Sequence, residues 1–259
     1  MKQQLKEHLR PLVRWLRGSR ALRLSSFTGS VSDVPVAERE ATDFHRAFYG
    51  NGGPTVVKWA HYLKVYDHHL ARFREQQPKI LEIGVHKGGS LRLWREYFGP
   101  KAVIFGIDIN SDCRHLNGDF GQVRIGSQDD PGFLRAVVEE MGGVDIVIDD
   151  GSHIARHQRA SFEALFPVLS NNGVYICEDT HTSYWRKPYD GGYRRKGSFI
   201  EYAKEMLDDM HCDFHSRGER VLKGASRSIA NISFYNSMVI LEKQTQSRPM
   251  HLTSGSAPQ

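Results

Sequence analysis

The chain has 259 residues, 39% hydrophobic and 25% charged, which is enough apolar material for one ordinary globular core. It contains no apolar run of the roughly 18 residues that a membrane-spanning helix requires, and no signal peptide is expected. Its three cysteines, Cys113, Cys177 and Cys212, have no metal-site spacing and suit a reduced, cytoplasmic setting better than a disulfide framework.

The net charge of +5 is concentrated at the start of the chain. Residues 1–24 carry Lys2, Lys6, Arg10, Arg14, Arg17, Arg20 and Arg23 against Glu7, which leaves the remainder at −1. A broad basic surface for nucleic acid is therefore not expected. Within this arm Leu5, Leu9, Leu12 and Leu16 recur at helical spacing, interrupted by Pro11. Such a basic amphipathic helix packs on its own body or on another subunit of a homo-oligomer, or it rests on a membrane surface. Residues 25–55 contain Ser, Gly and Pro and read as an irregular linker, so that residues 1–55 form an arm and linker.

From residue 56 the pattern changes. Val56–Glu75 reads as a helix with Trp59, Tyr62, Leu63, Tyr66 and Leu70 on one face. Short Val- and Ile-rich runs then alternate with amphipathic ones. Strands are predicted at Lys79–Ile83, Ala102–Asp108, Gln122–Ile125, Val144–Ile148 and Val174–Cys177, with helices at Ser90–Tyr97, Pro131–Met141, Ile154–Phe166 and Ser198–Met210. This alternation predicts an α/β fold, a doubly wound Rossmann-like parallel sheet covered on both faces. Ile229–Tyr235 and Met238–Glu242, split by Asn236-Ser237, predict a closing antiparallel hairpin. The sheet domain is expected over residues 56–243, followed by a disordered tail over 244–259.

The ends of the strands carry the chemistry. The first strand runs into Leu81-Glu82-Ile83-Gly84-Val85-His86-Lys87-Gly88-Gly89-Ser90, a strand, Gly-rich turn and helix start of the nucleotide-binding kind. The dinucleotide fingerprint requires glycine where His86 stands, and Glu82 puts negative charge beside the turn. Both features favour S-adenosylmethionine, with its ammonium and sulfonium, over NAD. Asp108 ends the second strand 24 residues after Gly84, near the spacing at which an acid meets ribose hydroxyls. Ser127 and Gln128, at the end of the third strand, are placed to meet an adenine edge.

The fourth run ends in Asp149-Asp150-Gly151-Ser152-His153 and the fifth in Glu178-Asp179. If these strands are neighbours, Asp150, Glu178 and Asp179 converge. Three adjacent carboxylates require a cation to stay ionised, and hard oxygen ligands suit Mg²⁺. Asp149, on the opposite side of the strand, is expected to be structural. His153 and His157, four residues apart, also have the spacing of a zinc pair on one helix face, although no Glu follows His153 as in a zinc-protease helix.

The runs LEIGVHKGGS, GIDIN, IDDGSH and ICEDTHTSYW together resemble the macrocin and mycinamicin O-methyltransferase family, over roughly Val56 to Trp185. Members are class I, S-adenosylmethionine- and Mg²⁺-dependent enzymes that methylate sugar hydroxyls. The resemblance implies that Asp150, Glu178 and Asp179 hold Mg²⁺ and that His153 is the general base. It implies cofactor contacts from Glu82, Gly84, Ser90, Asp108, Ser127 and Gln128. Lys58 and Tyr62 fall where the family has a Lys–Trp and Tyr segment near the cofactor, although Val57 replaces an acid expected before the lysine. The expected partner is a sugar-bearing small molecule or a glycan. The aromatic and basic segment Thr182–Ser198 reads as a lid over the site or as a solvated loop. Cephalosporin-hydroxylase-type proteins share IDDGSH-like runs and supply the alternative, a metal-dependent oxygenase-associated protein with His153 as an iron ligand.

Overall fold

The computed structural model describes residues 29–118, 120–215 and 227–255. The basic arm and its expected helix lie outside the described residues. The chain divides into two compact units, Met1–Ala41 and Thr42–Gln259. In the first, a 3₁₀ turn at Val31–Asp33 is closed by a reciprocal Ser30–Asp33 capping box, and a single helical turn follows at Val36–Arg39.

The second unit is built on a seven-stranded sheet: β1 (Lys79–Ile83), β2 (Val103–Asp108), β3 (Gln122–Ile125), β4 (Val144–Asp149), β5 (Leu169–Cys177), β6 (Ile229–Tyr235) and β7 (Met238–Lys243). Their order is β3-β2-β1-β4-β5-β7-β6, with β1 to β5 parallel and β7 antiparallel to both β5 and β6. The side chains alternate between two apolar layers, as strand geometry dictates. Ile80, Ile104, Ile146, Ile148, Val174, Ile176 and Ile240 enter one layer; Leu81, Ile83, Phe105, Ile107, Val147, Tyr175 and Leu241 enter the other. Helices Asp43–Tyr49, Tyr62–Leu70 and Gly89–Phe98 contribute to the first layer, and Pro131–Met141, Ala155–Leu165 and Phe199–Met210 to the second. The strand order reverses at β1, which lies between β2 and β4. A crevice therefore opens at the carboxyl ends of these strands.

The chain departs from the sequence reading before β1. The helix expected from Val56 begins at Tyr62. Thr55, Val56 and Val57 are consecutive β-branched residues after Gly52-Gly53-Pro54, and they hold an extended path that crowded side chains disfavour in a helix. Conversely, the stretch expected as irregular linker contains the helix Asp43–Tyr49. It is capped by the Thr42 hydroxyl, which accepts from the His45 amide at 3.3 Å. Phe44, fully buried, packs its ring 4.8 Å from Tyr66, 5.4 Å from Trp94 and 5.0 Å from Tyr97. Its signal was the cap followed by Phe44, Ala47 and Phe48 at helical spacing. Among the described residues after β7, 244–255, there is no regular structure, yet Gln244, Thr245 and Gln246 donate backbone hydrogen bonds to Ser228, Asn171 and Arg227. Among the described residues no helix is long and apolar enough to cross a membrane.

Candidate active site

The turn after β1 needs glycine at residue 84. Gly84 has φ +91°, and a Cβ there would collide with the backbone carbonyl oxygen of Asp150. The close approach follows from register: Ile83 pairs with Asp149 across β1 and β4, which sets Gly84 beside Asp150. His86 continues the turn with φ +45°, left-handed although it is not glycine. Its amide donates to Asp108 Oδ2 at 3.1 Å, while the Asn110 amide donates to Asp108 Oδ1 at 2.9 Å.

A cavity of about 490 Å³ lies over this turn. Of the residues expected to contact a cofactor, Gly84, Ser90, Asp108, Ser127, Gln128 and Lys58 line it. Gln128 also braces the neighbouring strand end, where it donates to Asp149 Oδ1 at 3.0 Å and accepts from the Ser152 amide at 2.7 Å. Glu82 lies beneath the lining, fully buried, with Oε2 accepting from the Ser90 hydroxyl at 2.8 Å and Oε1 without a hydrogen bond among the described residues. Burial raises its carboxyl to about 7, against the opposing pull of the Lys58 charge and the Ser90 hydroxyl. Tyr62 is not in the lining. Its hydroxyl donates to Ser237 O at 2.7 Å and reaches Asp179 Oδ1 at 3.1 Å.

β4 and β5 are neighbours, with Asp149 opposite Cys177 and the Glu178 amide donating to Asp149 O at 2.9 Å. The two acidic pairs therefore meet, and their members divide. Asp149 turns into the core, where Gln128, Ser161 and Tyr175 all donate to it. Asp150 and Asp179 turn into the crevice. Asp150, His153 and Asp179 each bring one ligand atom to within 4.8 Å of the others. His153 Nε2 lies 4.0 Å from Asp150 Oδ1 and 3.8 Å from Asp179 Oδ2, and its buried Nδ1 has no hydrogen bond among the described residues. Both His153 (φ +55°) and Asp179 (φ +52°) adopt left-handed backbone, a strain that positions their side chains.

Glu178 lies deeper. Lys58 Nζ donates to both of its oxygens at 2.9 Å and to Asp150 Oδ2 at 2.6 Å, and the Tyr66 hydroxyl donates to Glu178 as well. Burial alone would lower the Lys58 ammonium, but Asp150 and Glu178 hold it far above its ordinary value. Burial and the Asp150 charge raise Glu178 to about 8 despite Lys58. Of the three expected metal ligands, Asp150 Oδ1 and Asp179 Oδ2 face one point together with His153, and such oxygens suit a hard divalent ion. Glu178 does not join that group, because Lys58 takes both of its oxygens. The zinc pairing of His153 with His157 does not form. His153 precedes the helix Ala155–Leu165, and His157 contacts Ser152 Oγ at 2.9 Å and Asp129 at 3.3 Å.

No family model matches the chain. Over 198 residues it is 41% identical to an 8-demethyl-8-(2-methoxy-alpha-L-rhamnosyl)-tetracenomycin-C 3'-O-methyltransferase of Streptomyces olivaceus, covering 71% of this chain and 50% of that protein. Mycinamicin VI 2''-O-methyltransferase of Micromonospora griseorubida is 38% identical, over 69% of this chain and 47% of its own length. The solved structure of MycE, a methyltransferase from the mycinamycin biosynthetic pathway in complex with Mg and SAH, superposes with a TM-score of 0.71 at 32% identity, covering 79% of this chain and 55% of MycE. The chain belongs to the macrocin- and mycinamicin-type sugar O-methyltransferase family. It spans about half the length of the curated relatives it matches.

Further side chains complete the site around the expected residues. Trp59 Nε1 donates to Asp179 Oδ1 at 2.9 Å, and Tyr66 closes over Glu178. His181, lowered by burial, sits beside Asp179 with its ring 6.0 Å from Trp59 and 4.6 Å from Trp185. The sequence signal of Trp59 and Tyr66 was an aromatic spacing that also describes a core helix, and that of His181 was its place two residues after Asp179. The Thr182–Ser198 segment folds back on itself: Gly192 N donates to Ser183 O at 2.8 Å, and Ala155 N to Tyr189 O at 3.1 Å.

Proposed function

We propose that this chain is an S-adenosylmethionine- and Mg²⁺-dependent O-methyltransferase acting on a sugar hydroxyl of a glycosylated natural product or polysaccharide. The observation that carries this reading is that the cofactor-type cavity and the carboxylate cluster share an edge: Asp150, His153 and Lys58 line the one and build the other. The relatives' names support the acceptor class, since they specify rhamnosyl and olivosyl groups on tetracenomycin and oleandolide. When bound, Mg²⁺ would orient and acidify neighbouring sugar hydroxyls, and S-adenosylmethionine would supply the methyl group.

The protein's own residues do the rest. Asp150 and Asp179 would hold the ion, joined by Glu178 only where Lys58 gives up one of its oxygens. Gly84 would admit the cofactor to the turn, Asp108 would meet its ribose, Ser127 and Gln128 its adenine and Ser90 its cationic end, with Glu82 adding negative charge from beneath through Ser90. His153 takes the hydroxyl proton at Nε2 as methyl transfer proceeds, and the facing carboxylates of Asp150 and Asp179 stabilise the imidazolium that results. Fixing both reactants in one crevice removes an entropic barrier that can amount to about 7–11 kcal/mol. We take the sheet-bearing unit as the methyltransferase domain and the three free, buried cysteines as consistent with a cytoplasmic protein. A homo-oligomer, and a peripheral membrane contact by the basic arm, belong to the same proposal.

The test is transfer of radiolabelled methyl from S-adenosylmethionine to polyketides bearing deoxysugars and to rhamnose-containing glycans. Label should enter the acceptor, stop on adding a chelator and resume with Mg²⁺; transfer indifferent to the chelator contradicts the reading. The grouping of His153 Nε2 with the two aspartates also favours a second reading, an oxygenase-type site with His153 as iron ligand. Turnover supported by Fe²⁺ and not by Mg²⁺ would select it.

A further inference from the structure

The segment from Pro54 to Tyr62 touches both halves of the site. Thr55, Val56, Val57 and Lys58 form one wall of the cofactor-type cavity. The carbonyl oxygens of Pro54 and Thr55 lie so close to Gly89, the first residue of the cradle helix, that a Cβ there would collide with them. The segment's other end grips the carboxylates. Lys58 holds Asp150 Oδ2, while Trp59 and Tyr62 hold Asp179 Oδ1. In each aspartate the remaining oxygen, Asp150 Oδ1 or Asp179 Oδ2, is the one that faces His153. Fixing the outer oxygen while aiming the inner one is what outer-shell partners of a metal site do. The Lys58 side chain is 2% exposed, so these bonds do not exchange freely with solvent.

We propose that Pro54–Tyr62 couples the two ligands of this site, making divalent-ion affinity depend on cofactor occupancy, with Lys58 as the positioning residue through which it acts. The inference rests on the methyltransferase reading. A molecule filling the cavity bears on the backbone that carries Lys58, and so orders the oxygens that Lys58, Trp59 and Tyr62 direct. An ion drawing on Asp150 and Glu178 shifts the partners of Lys58, and so the cavity wall. Thermodynamic linkage makes the two effects equal.

The experiment titrates Mn²⁺ into the full chain, with free Mn²⁺ followed by electron paramagnetic resonance, in the presence and absence of saturating S-adenosylhomocysteine. The reverse titration is done by calorimetry. The expected result is Mn²⁺ binding at least about fivefold tighter with S-adenosylhomocysteine, and the same factor in reverse. Lys58→Met, titrated at S-adenosylhomocysteine concentrations that saturate its own cavity, should show a coupling factor fallen towards one. Lys58→Arg, which keeps the charge but changes the donor geometry, should lose most of the coupling too, and it decides the matter if the Met variant does not fold. Equal Mn²⁺ affinity in both states of the wild type, or full coupling in the variants, overturns the inference and leaves the methyltransferase reading intact. A wild type that binds no S-adenosylhomocysteine overturns both.

Discussion

The two sides of the crevice are built by different means. The cradle side is made of backbone: a left-handed Gly84, a left-handed His86, and an Asp108 carboxylate fixed by two amides within its own neighbourhood. The carboxylate side is made of side chains fixed from far away in sequence. Lys58 reaches Asp150 across 92 residues and Glu178 across 120, and Trp59 reaches Asp179 across 120. A turn built locally tolerates an open, solvent-facing cavity. A buried cluster of like charges requires donors and a counter-cation assembled from three separate elements. The cradle therefore presents a preformed shape, whereas the cluster is an electrostatic balance that substitutions on distant segments can tip.

The largest effect is expected where the two sides meet. His153→Ala should lower kcat by roughly 10²–10⁴-fold while calorimetry still detects S-adenosylhomocysteine, because the side chain acts on the hydroxyl proton and not on the cradle; a variant that turns over normally removes His153 from the chemistry. Next, Trp59→Phe keeps the ring but removes the donor to Asp179 Oδ1. Mn²⁺ affinity should fall by about 10–100-fold, and an unchanged affinity would mean that Asp179 is oriented without the indole.

A smaller effect tests the inward half of the first acidic pair. Tyr175→Phe leaves the buried Asp149 without one of its three side-chain donors. The expected loss is about 1–3 kcal/mol of stability, read by chemical denaturation, with the metal affinity of the folded protein preserved.

The smallest sharpens the electrostatics of the cradle. Glu82 is raised from its ordinary value of 4.5 to about 7, so the folded state binds this proton more tightly than the unfolded chain. Its contribution to stability is full below pH 4.5 and is lost as pH rises to about 7. Over that window the cofactor-free wild type should lose more melting temperature than Glu82→Gln. Parallel pH profiles would show that Glu82 is not held protonated by burial.

This contrast also explains what the sequence disclosed. Strands β1 to β4, the helix Pro131–Met141, the closing hairpin and the turn at Gly84 were legible because periodicity and glycine placement are local signals, whereas β5 starts at Leu169, five residues before the expected Val174, because its first half Leu169–Gly173 is mostly polar. So was the meeting of Asp150 with Glu178 and Asp179, because consecutive strands flanking one crossover helix are ordinarily neighbours. Within residues 54–62, Lys58 and Tyr62 were legible as part of a family segment near the cofactor, but the hold of this segment on the carboxylates was not. Tyr62, Leu63, Tyr66 and Leu70 match a core helix face and do bury themselves as one, so the same pattern absorbed Trp59, which stands outside the helix and, with Lys58, serves the carboxylates. The helix Asp43–Tyr49 was overlooked because a seven-residue helix offers barely two turns of periodicity, although its Thr42 cap was present.

A divalent ion on the aspartates and a methyl donor on the cradle would have to occupy this one crevice together. Anomalous diffraction from crystals grown with Mn²⁺ and S-adenosylhomocysteine reads both positions at once. A manganese peak is expected against Asp150 and Asp179, with the ligand's sulfur in the cavity over Gly84. Manganese bound elsewhere, or a cavity that stays empty at saturating S-adenosylhomocysteine, would contradict shared occupancy.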